Sequence, residues 1–262
     1  MFSVKPKKNL GQHFLKDEVI AEKIASTLDG FSQFPVLEVG PGTGVLTRWL
    51  LNKKRDLTVV EIDRESIAYL HEHFPEIEDR IIEKDFLKLD LKQLYCDKPF
   101  NVIGNYPYNI SSQIFFKVLD YKNSIPCCSG MIQKEVAERL TASPGSKTYG
   151  ILSVLLQVWY DIEYLFTVNE QAFIPQPKVK SAVVRLTRNG RQQMDCDEKL
   201  FKTVVKTSFN QRRKMLRNSL KSMLPDGSSL PEYELFEKRP EQLSIAQFEK
   251  LTNLLEPLVK MN

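Results

Sequence analysis

Short apolar runs alternate with stretches of helical spacing through the first half of the chain, and this alternation constrains the fold more than any other feature. Residues 36–39, 57–63, 80–85 and 100–105 are compact apolar runs, and the first two precede apolar residues at helical spacing. Strands that alternate with helices form a parallel sheet with helices on both faces. The pattern therefore predicts an α/β fold with a doubly wound sheet.

The apolar pattern changes near residue 189. Before it, residues 129–133 and 182–186 add further apolar elements to the α/β region, and residues 151–157 are long enough to be helical. After it, apolar residues recur at helical spacing to the end of the chain. We expect an α/β domain at residues 1–188 and a small all-helical domain at residues 189–262.

Composition limits the classes of protein to which this chain can belong. The 262 residues are 42% hydrophobic, as in ordinary globular proteins, and no apolar run approaches the ~20 residues that span a bilayer. No secretory signal opens the chain, so we expect a cytoplasmic protein, monomeric by default and without a membrane partner. The cysteines lack the spacing of a zinc site or a disulfide framework, and we expect Cys127 and Cys128 to fill the core. His71 and His73 lie two apart on a predicted helix and cannot share a face, so no metal site is expected.

Basic residues form two separate blocks, although the net charge is only +4. Lysines cluster within residues 5–8, and residues 208–222 contain several basic residues and no acidic one. Such blocks suit a polyanion better than a small substrate. We expect Arg212, Arg213 and Lys214 to bind RNA phosphates, although a solvated helix face is the simpler alternative.

A glycine-rich turn, Gly40-Pro41-Gly42-Thr43-Gly44, directly follows the first predicted strand. Glycine lets a ligand approach the backbone closely, and the acid that ends the next strand, Glu61, is positioned to accept hydrogen bonds from ribose hydroxyls. A nicotinamide cofactor and a purely structural turn remain alternatives, but the short glycine spacing and the preceding Glu38 favour S-adenosylmethionine. Asp85, at the end of the third predicted strand, either accepts from the cofactor's adenine or is a surface acid.

The tetrapeptide Asn105-Tyr106-Pro107-Tyr108 follows the fourth predicted strand, at the same edge of the sheet. An adenine amino nitrogen is a poor nucleophile because its lone pair is delocalised into the ring. The amide oxygen of Asn105 and the backbone carbonyl of Tyr106, held by Pro107, can accept its two N–H bonds and make the nitrogen more tetrahedral. Tyr108 would stack on the extruded base. A turn that merely ends the strand is the alternative.

Two prolines space the segment 173–183. Pro175 and Pro177 enforce an extended backbone that leads into the apolar residues 182–184. This segment either lines the base pocket, with Phe173 as a second stacking face, or is a rigid connector.

These motifs together resemble the ribosomal RNA adenine dimethyltransferase family, in particular its small-subunit members, over almost the whole chain. Two residues depart from the family pattern, because Tyr106 stands where leucine or isoleucine is usual and His13 where many members have asparagine. The motifs that carry the resemblance are residues 8–15, 38–44, 105–110, 173–183 and 209–214.

The resemblance implies a Rossmann-like class I S-adenosylmethionine methyltransferase with a small helical C-terminal domain. It implies that the product is two neighbouring N,N-dimethyladenosines near the 3′ end of small-subunit RNA, made on an immature small ribosomal subunit. It also implies a set of cofactor contacts: His13, Leu15, Gly40, Glu61, Asp85 and Asn105.

Three other functions remain open. A large-subunit RNA adenine methylase of the antibiotic-resistance type shares the glycine turn and the Asn-x-Pro-aromatic motif, but residues 209–214 and 181–183 favour the small-subunit enzyme. A DNA adenine methyltransferase is disfavoured because no dedicated sequence-reading domain is evident. A ribosome-assembly or transcription factor that keeps the fold without the chemistry is disfavoured by the intact acids and the intact tetrapeptide.

Overall fold

A computed structural model describes residues 4–259 of the chain. The strands include the four that the apolar runs predict, within two residues at each end. Along the chain they are β1 (Phe14–Leu15), β2 (Val36–Val39), β3 (Leu57–Glu61), β4 (Ile81–Glu83), β5 (Asn101–Asn105), β6 (Cys127–Gln133), β7 (Tyr160–Val168), β8 (Phe173–Ile174) and β9 (Ser181–Arg188).

Helices connect most of these strands and then dominate the C-terminal part. They are α1 (Glu18–Ser26), α2 (Val45–Asn52), α3 (Arg64–His73), α4 (Leu91–Tyr95), α5 (Ser111–Asp120), α6 (Lys134–Leu140), α7 (Ile151–Gln157), α8 (Glu198–Asn210), α9 (Leu216–Ser219) and α10 (Ile245–Val259). Short 3-10 turns, among them Phe86–Lys88 and Pro240–Gln242, join them.

The central sheet has the strand order β4-β3-β2-β5-β6-β9-β7. The pairs β3–β4, β2–β3, β2–β5 and β5–β6 are parallel, which confirms the predicted α/β class. β9 pairs antiparallel with β6, so the sheet is mostly rather than wholly parallel. The parallel alignment brings the carboxyl ends of β2, β3, β4 and β5 to one edge.

A second, two-stranded sheet joins distant parts of the chain. β1 pairs antiparallel with β8, and Leu15 lies opposite Phe173. The N-terminal segment is thereby tied to the proline-spaced segment that follows β8. The sequence does not predict this pairing, because two-residue strands are too short to show a periodicity.

Aspartate side chains begin several helices. Asp17, Asp63, Asp90 and Asp197 each accept a hydrogen bond from a backbone N–H in the first turn of the following helix. These N–H groups have no partner within a helix, and an acidic cap also interacts favourably with the helix dipole.

The chain divides into two compact units, residues 1–137 with 161–188 and residues 138–160 with 189–262. The expected boundary at residue 188 coincides with the last of the three breaks between these segments, but the sequence assigned residues 138–160 to the first domain. The structure places them in the second unit, because α7 packs on α8 and the buried Tyr149 contacts the edge of Phe209 at 6.2 Å between ring centroids. α8 and α10 form the rest of this core, where Phe201 and Phe248 meet edge to face.

One expectation from composition can be checked in the described residues. Cys127 and Cys128 are fully buried in β6, so this pair does fill the core. Within residues 4–259 no helix is both long and apolar enough to cross a membrane. In the same range, no three His, Cys, Asp or Glu residues are grouped so that they could hold a metal ion.

Gly44 lets the glycine turn pack closely against Phe74. Its φ is +75°, and a Cβ at this position would lie 2.3 Å from the Phe74 ring. We expect Gly44→Ala to lower the free energy of unfolding by about 2–4 kcal/mol through left-handed strain and overpacking. Gly30→Ala is the matched control, because nothing lies within 4 Å of its Cβ position. Urea unfolding measures both, and equal stabilities for the two variants would contradict the packing argument.

Candidate active site

A pocket lies at the edge of the sheet where β2, β3, β4 and β5 end. Most of the residues that the sequence singles out for cofactor and chemistry meet there, although they are far apart along the chain. Its lining includes His13, Gly40, Gly42, Glu61, Asp85, Asn105, Tyr106, Pro107 and Tyr108.

The glycine turn and Glu61 are joined by backbone hydrogen bonds. The N–H of Gly42 donates to Oε2 of Glu61 at 3.1 Å, and the N–H groups of Ile62 and Asp63 donate to Oε1 at 2.8 and 3.0 Å. Burial raises the pKa of Glu61, while these three donors favour its charged form and oppose that rise. The carboxylate is thereby held in one orientation beside the pocket.

Ile62 and Leu87 supply apolar surface that the sequence interpretation missed. Ile62 directly follows Glu61 and is 53% exposed although it is apolar. Leu87 follows Asp85 by two residues, and its N–H donates to Asp85 Oδ1 at 2.9 Å. An apolar side chain at the carboxyl end of a strand was the available signal, because ligands of doubly wound sheets bind there.

Lys117 of α5 holds the turn that carries Leu87. Its ammonium donates to the backbone carbonyls of Leu87 and Leu89 at 3.1 and 2.5 Å and lies 5.5 Å from the centroids of the Phe86 and Tyr121 rings. Desolvation lowers the pKa of Lys117, and nearby aspartates oppose this effect. A charged donor is therefore used to position one wall of the pocket.

The N-terminal segment covers another side of the pocket. Lys7 forms an ion pair with Asp63, and Gln12 Nε2 donates to the same carboxylate at 3.2 Å. Burial alone would raise the pKa of Asp63, but the hydrogen bonds from Lys7, Gln12 and Ser66 together hold it below its usual value. The charged carboxylate anchors this segment beside the end of β3.

Asn105 is oriented by the same segment. Its Nδ2 donates to the backbone carbonyl of His13 at 2.9 Å. Because the two polar atoms of an amide point in different directions, this hydrogen bond leaves Oδ1 as the acceptor for a ligand. The amide oxygen is the atom that the sequence predicts to accept from the target amine.

Tyr106 turns its side chain into the core. Its ring is 1% exposed, and its hydroxyl donates to the carbonyl of Ser129 at 2.8 Å. Gly104 and Gly130 make room for the ring, since a Cβ at either position would come within 2.9 and 2.6 Å of it, respectively. Tyr106 can therefore offer a ligand only its backbone, and the two glycines explain how the chain accommodates tyrosine here.

Tyr108 lines the pocket, and contacts with two other residues restrict the orientation of its ring. Its hydroxyl is 2.5 Å from Ser181 Oγ, and its ring stacks with that of His13 at 5.3 Å between centroids and 26° between planes. The His13 ring is in turn hydrogen-bonded through Nδ1 to the carbonyl of Pro175 at 2.8 Å. Residues from three distant segments thus fix the stacking surface.

Two of the residues predicted to contact the cofactor or the target base lie outside the pocket. Phe173, expected as a second stacking face, is 1% exposed and belongs to the hydrophobic core, so that expectation is wrong. Its side chain is buried because β8 pairs with β1, and the ring that contacts Tyr108 is that of His13. Leu15 also packs in the core and lines only a smaller adjoining cavity with Glu38.

The basic residues at the end of α8 differ in their surroundings. Arg213 and Lys214 are exposed, as expected for phosphate contacts. Arg212 is half-buried, and its Nη2 donates to the carbonyl of Ser146 at 3.2 Å. The guanidinium of Arg212 is therefore engaged within the second unit.

Comparison with known proteins identifies the family. Residues 3–256 match the family model described as Ribosomal RNA adenine dimethylase. The chain belongs to this family. The protein named Ribosomal RNA small subunit methyltransferase A in Parabacteroides distasonis is 69% identical over 251 residues, which cover 95% of this chain and 93% of the relative. The protein of the same name in Porphyromonas gingivalis is 60% identical over 257 residues, covering 98% and 100% of the two chains.

Solved structures extend the comparison to the fold. A dimethyladenosine transferase from Plasmodium falciparum matches with a TM-score of 0.69 and 25% identity over 95% of this chain and 98% of that one. The 23S rRNA methyltransferase ErmE matches with a TM-score of 0.66 and 26% identity over 93% and 99%. This chain therefore has the Rossmann-like class I methyltransferase fold of an rRNA adenine dimethylase.

S-adenosylmethionine is the cofactor of this rRNA adenine dimethylase, and the pocket fits it. The buried Glu61 carboxylate suits ribose hydroxyls, and Asp85 with Leu87 and Ile62 gives a polar acceptor beside apolar surface, as an adenine requires. The backbone at Gly40, with a φ of +69°, permits close approach of the remaining part of the ligand.

Lys117 gives a test of how this rRNA adenine dimethylase builds its cofactor pocket. We expect Lys117→Met to weaken S-adenosylmethionine binding about three- to tenfold, the equivalent of roughly one net hydrogen bond. Lys98→Met, at an exposed lysine, is the control. Isothermal titration calorimetry measures both, and equal affinities would show that Lys117 does not position the Leu87 turn.

Glu38 predicts a pH dependence of stability. Burial raises the pKa of Glu38 to about 8, opposed by a hydrogen bond from Thr47 Oγ1 at 2.7 Å and aided by the charge of Glu61. The folded state then holds a proton that the unfolded chain loses above its ordinary carboxyl pKa of about 4.3, so this contribution to stability declines as pH rises toward the folded value.

Glu38→Gln removes this titration while keeping a neutral side chain of similar shape. We expect the variant to gain stability relative to the parent by up to about 1.4 kcal/mol per pH unit as pH rises, levelling off above the folded pKa. Urea unfolding between mildly acidic and mildly alkaline pH measures the difference. A difference that does not change with pH would mean that Glu38 is ionised in the folded protein.

Proposed function

We propose that the chain transfers methyl groups from S-adenosylmethionine to the exocyclic amino groups of two adjacent adenosines near the 3′ end of small-subunit rRNA. The observation that carries this proposal is the orientation of Asn105, whose amide nitrogen is committed to His13 and whose amide oxygen is left as an acceptor in the pocket. This is the group that an amine nucleophile needs, beside a pocket suited to the cofactor.

Two acceptors would act on the target amine. Asn105 Oδ1 and the backbone carbonyl of Tyr106 would each accept one N–H, which withdraws the nitrogen lone pair from the ring and directs it outward. The Tyr106 backbone is held by its own N–H, which donates to the carbonyl of Met131 at 3.0 Å, and by the following Pro107. When bound, S-adenosylmethionine would supply an electrophilic methyl group; the amine nitrogen would take this group as it leaves the sulfur and would then lose a proton.

Tyr108 would hold the base in place. Its half-buried ring lines the pocket, and its contacts with Ser181 and His13 limit the orientations of the ring. A base extruded from an RNA strand gains about 1 to 3 kcal/mol by stacking on such a ring. The surface is therefore ready before the substrate arrives, which lowers the entropy cost of binding.

The relatives support small-subunit RNA as the target. Several proteins named for the small-subunit activity are 57–69% identical to this chain along nearly its whole length, whereas ErmE, named for 23S rRNA, is 26% identical. The intact pocket and acceptors argue against a scaffold that has lost its chemistry. We place the reaction on an immature small subunit in the cytoplasm and the enzyme as a monomer, with the first unit as its methyltransferase part and the second unit contacting RNA.

Transfer of radiolabelled methyl from S-adenosylmethionine tests the reaction and its target together. Under-methylated small subunits are the substrate, with mature subunits, large-subunit RNA and duplex DNA in parallel. We expect two methyl groups on each of two adenosines in the under-methylated small subunit. Label confined to large-subunit RNA would assign the resistance-type reaction, and binding without transfer would assign a non-enzymatic role.

Asn105→Ala tests the acceptor. We expect methyl transfer at saturating cofactor to fall by about a hundredfold or more, the scale of removing one group that stabilises charge in a transition state. Binding to small subunits should be retained, because the substitution removes no RNA-phosphate contact. Sedimentation with subunits and single-turnover methylation separate the two effects, and near-normal turnover would show that another group accepts from the amine.

A further inference from the structure

Arg212 connects the end of α8 to the loop 143–150 within the second unit. Its Nη2 donates to the carbonyl of Ser146 at 3.2 Å, and its Nε lies 3.9 Å from the carboxylate of Glu241. The N–H of Gly145 donates to the backbone carbonyl of Glu241 at 2.6 Å. The loop is therefore held beside the basic residues that follow α8.

A buried side chain and backbone hydrogen bonds also anchor the loop. Tyr149 is fully buried and contacts the edge of Phe209, the second-to-last residue of α8. Its N–H donates to Ser146 Oγ at 3.2 Å, and the N–H of Gly150 donates to Ser153 Oγ at 2.9 Å. A loop with this many fixed points presents its outer side chains from a defined position.

The outer face of the loop carries a lysine and hydroxyl groups. Lys147 and Thr148 are exposed, and Thr148 Oγ1 lies 3.3 Å from Ser146 Oγ. Neither residues 143–150 nor residues 208–222 contain an acidic side chain. An ammonium beside hydroxyls, without a competing carboxylate in the same segments, is the donor set that binds phosphate oxygens.

We propose that the loop 143–150 and the exposed residues Arg213 and Lys214 form one phosphate-binding surface for RNA. In this surface Lys147 contacts a backbone phosphate, and Arg212 is a positioning residue that holds the loop rather than a contact itself. This inference rests on the proposed function, in that it takes RNA as the substrate. It adds Lys147 as an RNA contact, which the sequence did not predict. It also changes the role of Arg212 from a phosphate contact to a positioning residue.

Two other basic residues of the second unit are paired with acids. Arg217, four residues after Arg213, forms an ion pair with Glu237. Lys238 is paired with Glu234. Charges neutralised within the protein release fewer counterions from RNA, so they contribute less to binding than Lys147, Arg213 and Lys214.

Lys147→Gln is the first test, with Lys199→Gln as the matched control. Lys199 is an exposed lysine in the first turn of α8, about 16 Å along the axis from the end of the helix that Arg213 follows. Loss of one phosphate contact makes the dependence of log affinity on log salt less steep by about 0.7 to 0.9, which is about fivefold weaker binding at ~0.1 M salt. We expect this change for Lys147→Gln and none for Lys199→Gln, measured on naked small-subunit RNA and on under-methylated subunits.

Arg212→Gln tests the positioning role. If Arg212 acts through the loop, removing Lys147 in the Arg212→Gln background should cost much less affinity than it does in the parent. For Arg213→Gln, by contrast, the losses should add, because the two side chains contact separate phosphates. Full additivity with Arg212→Gln would overturn the positioning role and restore Arg212 as an independent contact.

The outcomes also separate this inference from the proposed function. A salt slope for Lys147→Gln equal to that of the parent would overturn the surface even if methylation of small subunits is normal. An effect seen with subunits but not with naked RNA would overturn the phosphate contact in favour of a ribosomal protein. Absence of methyl transfer by the parent would instead refute the proposed reaction, while the changed slope on naked RNA would still support the surface.

Discussion

The parallel pairing of β2, β3, β4 and β5 is the constraint on which the rest of the first unit depends. Each pair is aligned so that all four strands end at one edge of the sheet. That alignment places the glycine turn, Glu61, Asp85 and Asn105 around one pocket although they span more than sixty residues of sequence. The intervening helices cover the sheet and keep water from its backbone, so the ends of the strands remain the place where a ligand can reach polar groups.

The N-terminal segment forms the side of the pocket that the strand ends leave open. Its contacts with Asp63 fix it beside β3, and the carbonyl of His13 takes up one polar atom of the Asn105 amide. A side-chain amide is a donor and an acceptor together, so its chemistry in a site depends on which end is already engaged. Here the protein engages the donor, which leaves the acceptor for a ligand. The same segment therefore lines the pocket and orients the Asn105 side chain.

The conformation of residues 105–108 depends on the space available to their side chains as well as on hydrogen bonds. Tyr106 is accommodated because Gly104 and Gly130 leave room for its ring, and its burial reduces its part in the site to the backbone. Phe173 is buried for a different reason, since its strand pairs with β1 and its side chain joins the core. Of the two aromatic side chains for which the sequence predicts base stacking, only Tyr108 lines the pocket, and its ring stacks with the imidazole of His13 from the N-terminal segment.

The sequence by itself determined the α/β class and the positions of β2, β3, β4 and β5, and it singled out Glu61, Asp85 and the tetrapeptide 105–108, which line the pocket. These depend on periodicity and on the chemistry of residues at strand ends, which are local properties. Only the tertiary structure decided the pairing of β1 with β8, the burial of Phe173, the place of residues 138–160 in the second unit and the internal engagement of Arg212. The physical reason is that each of these depends on which distant segments meet. The residues next to a two-residue strand or a single arginine in the sequence do not indicate which distant segment it will contact.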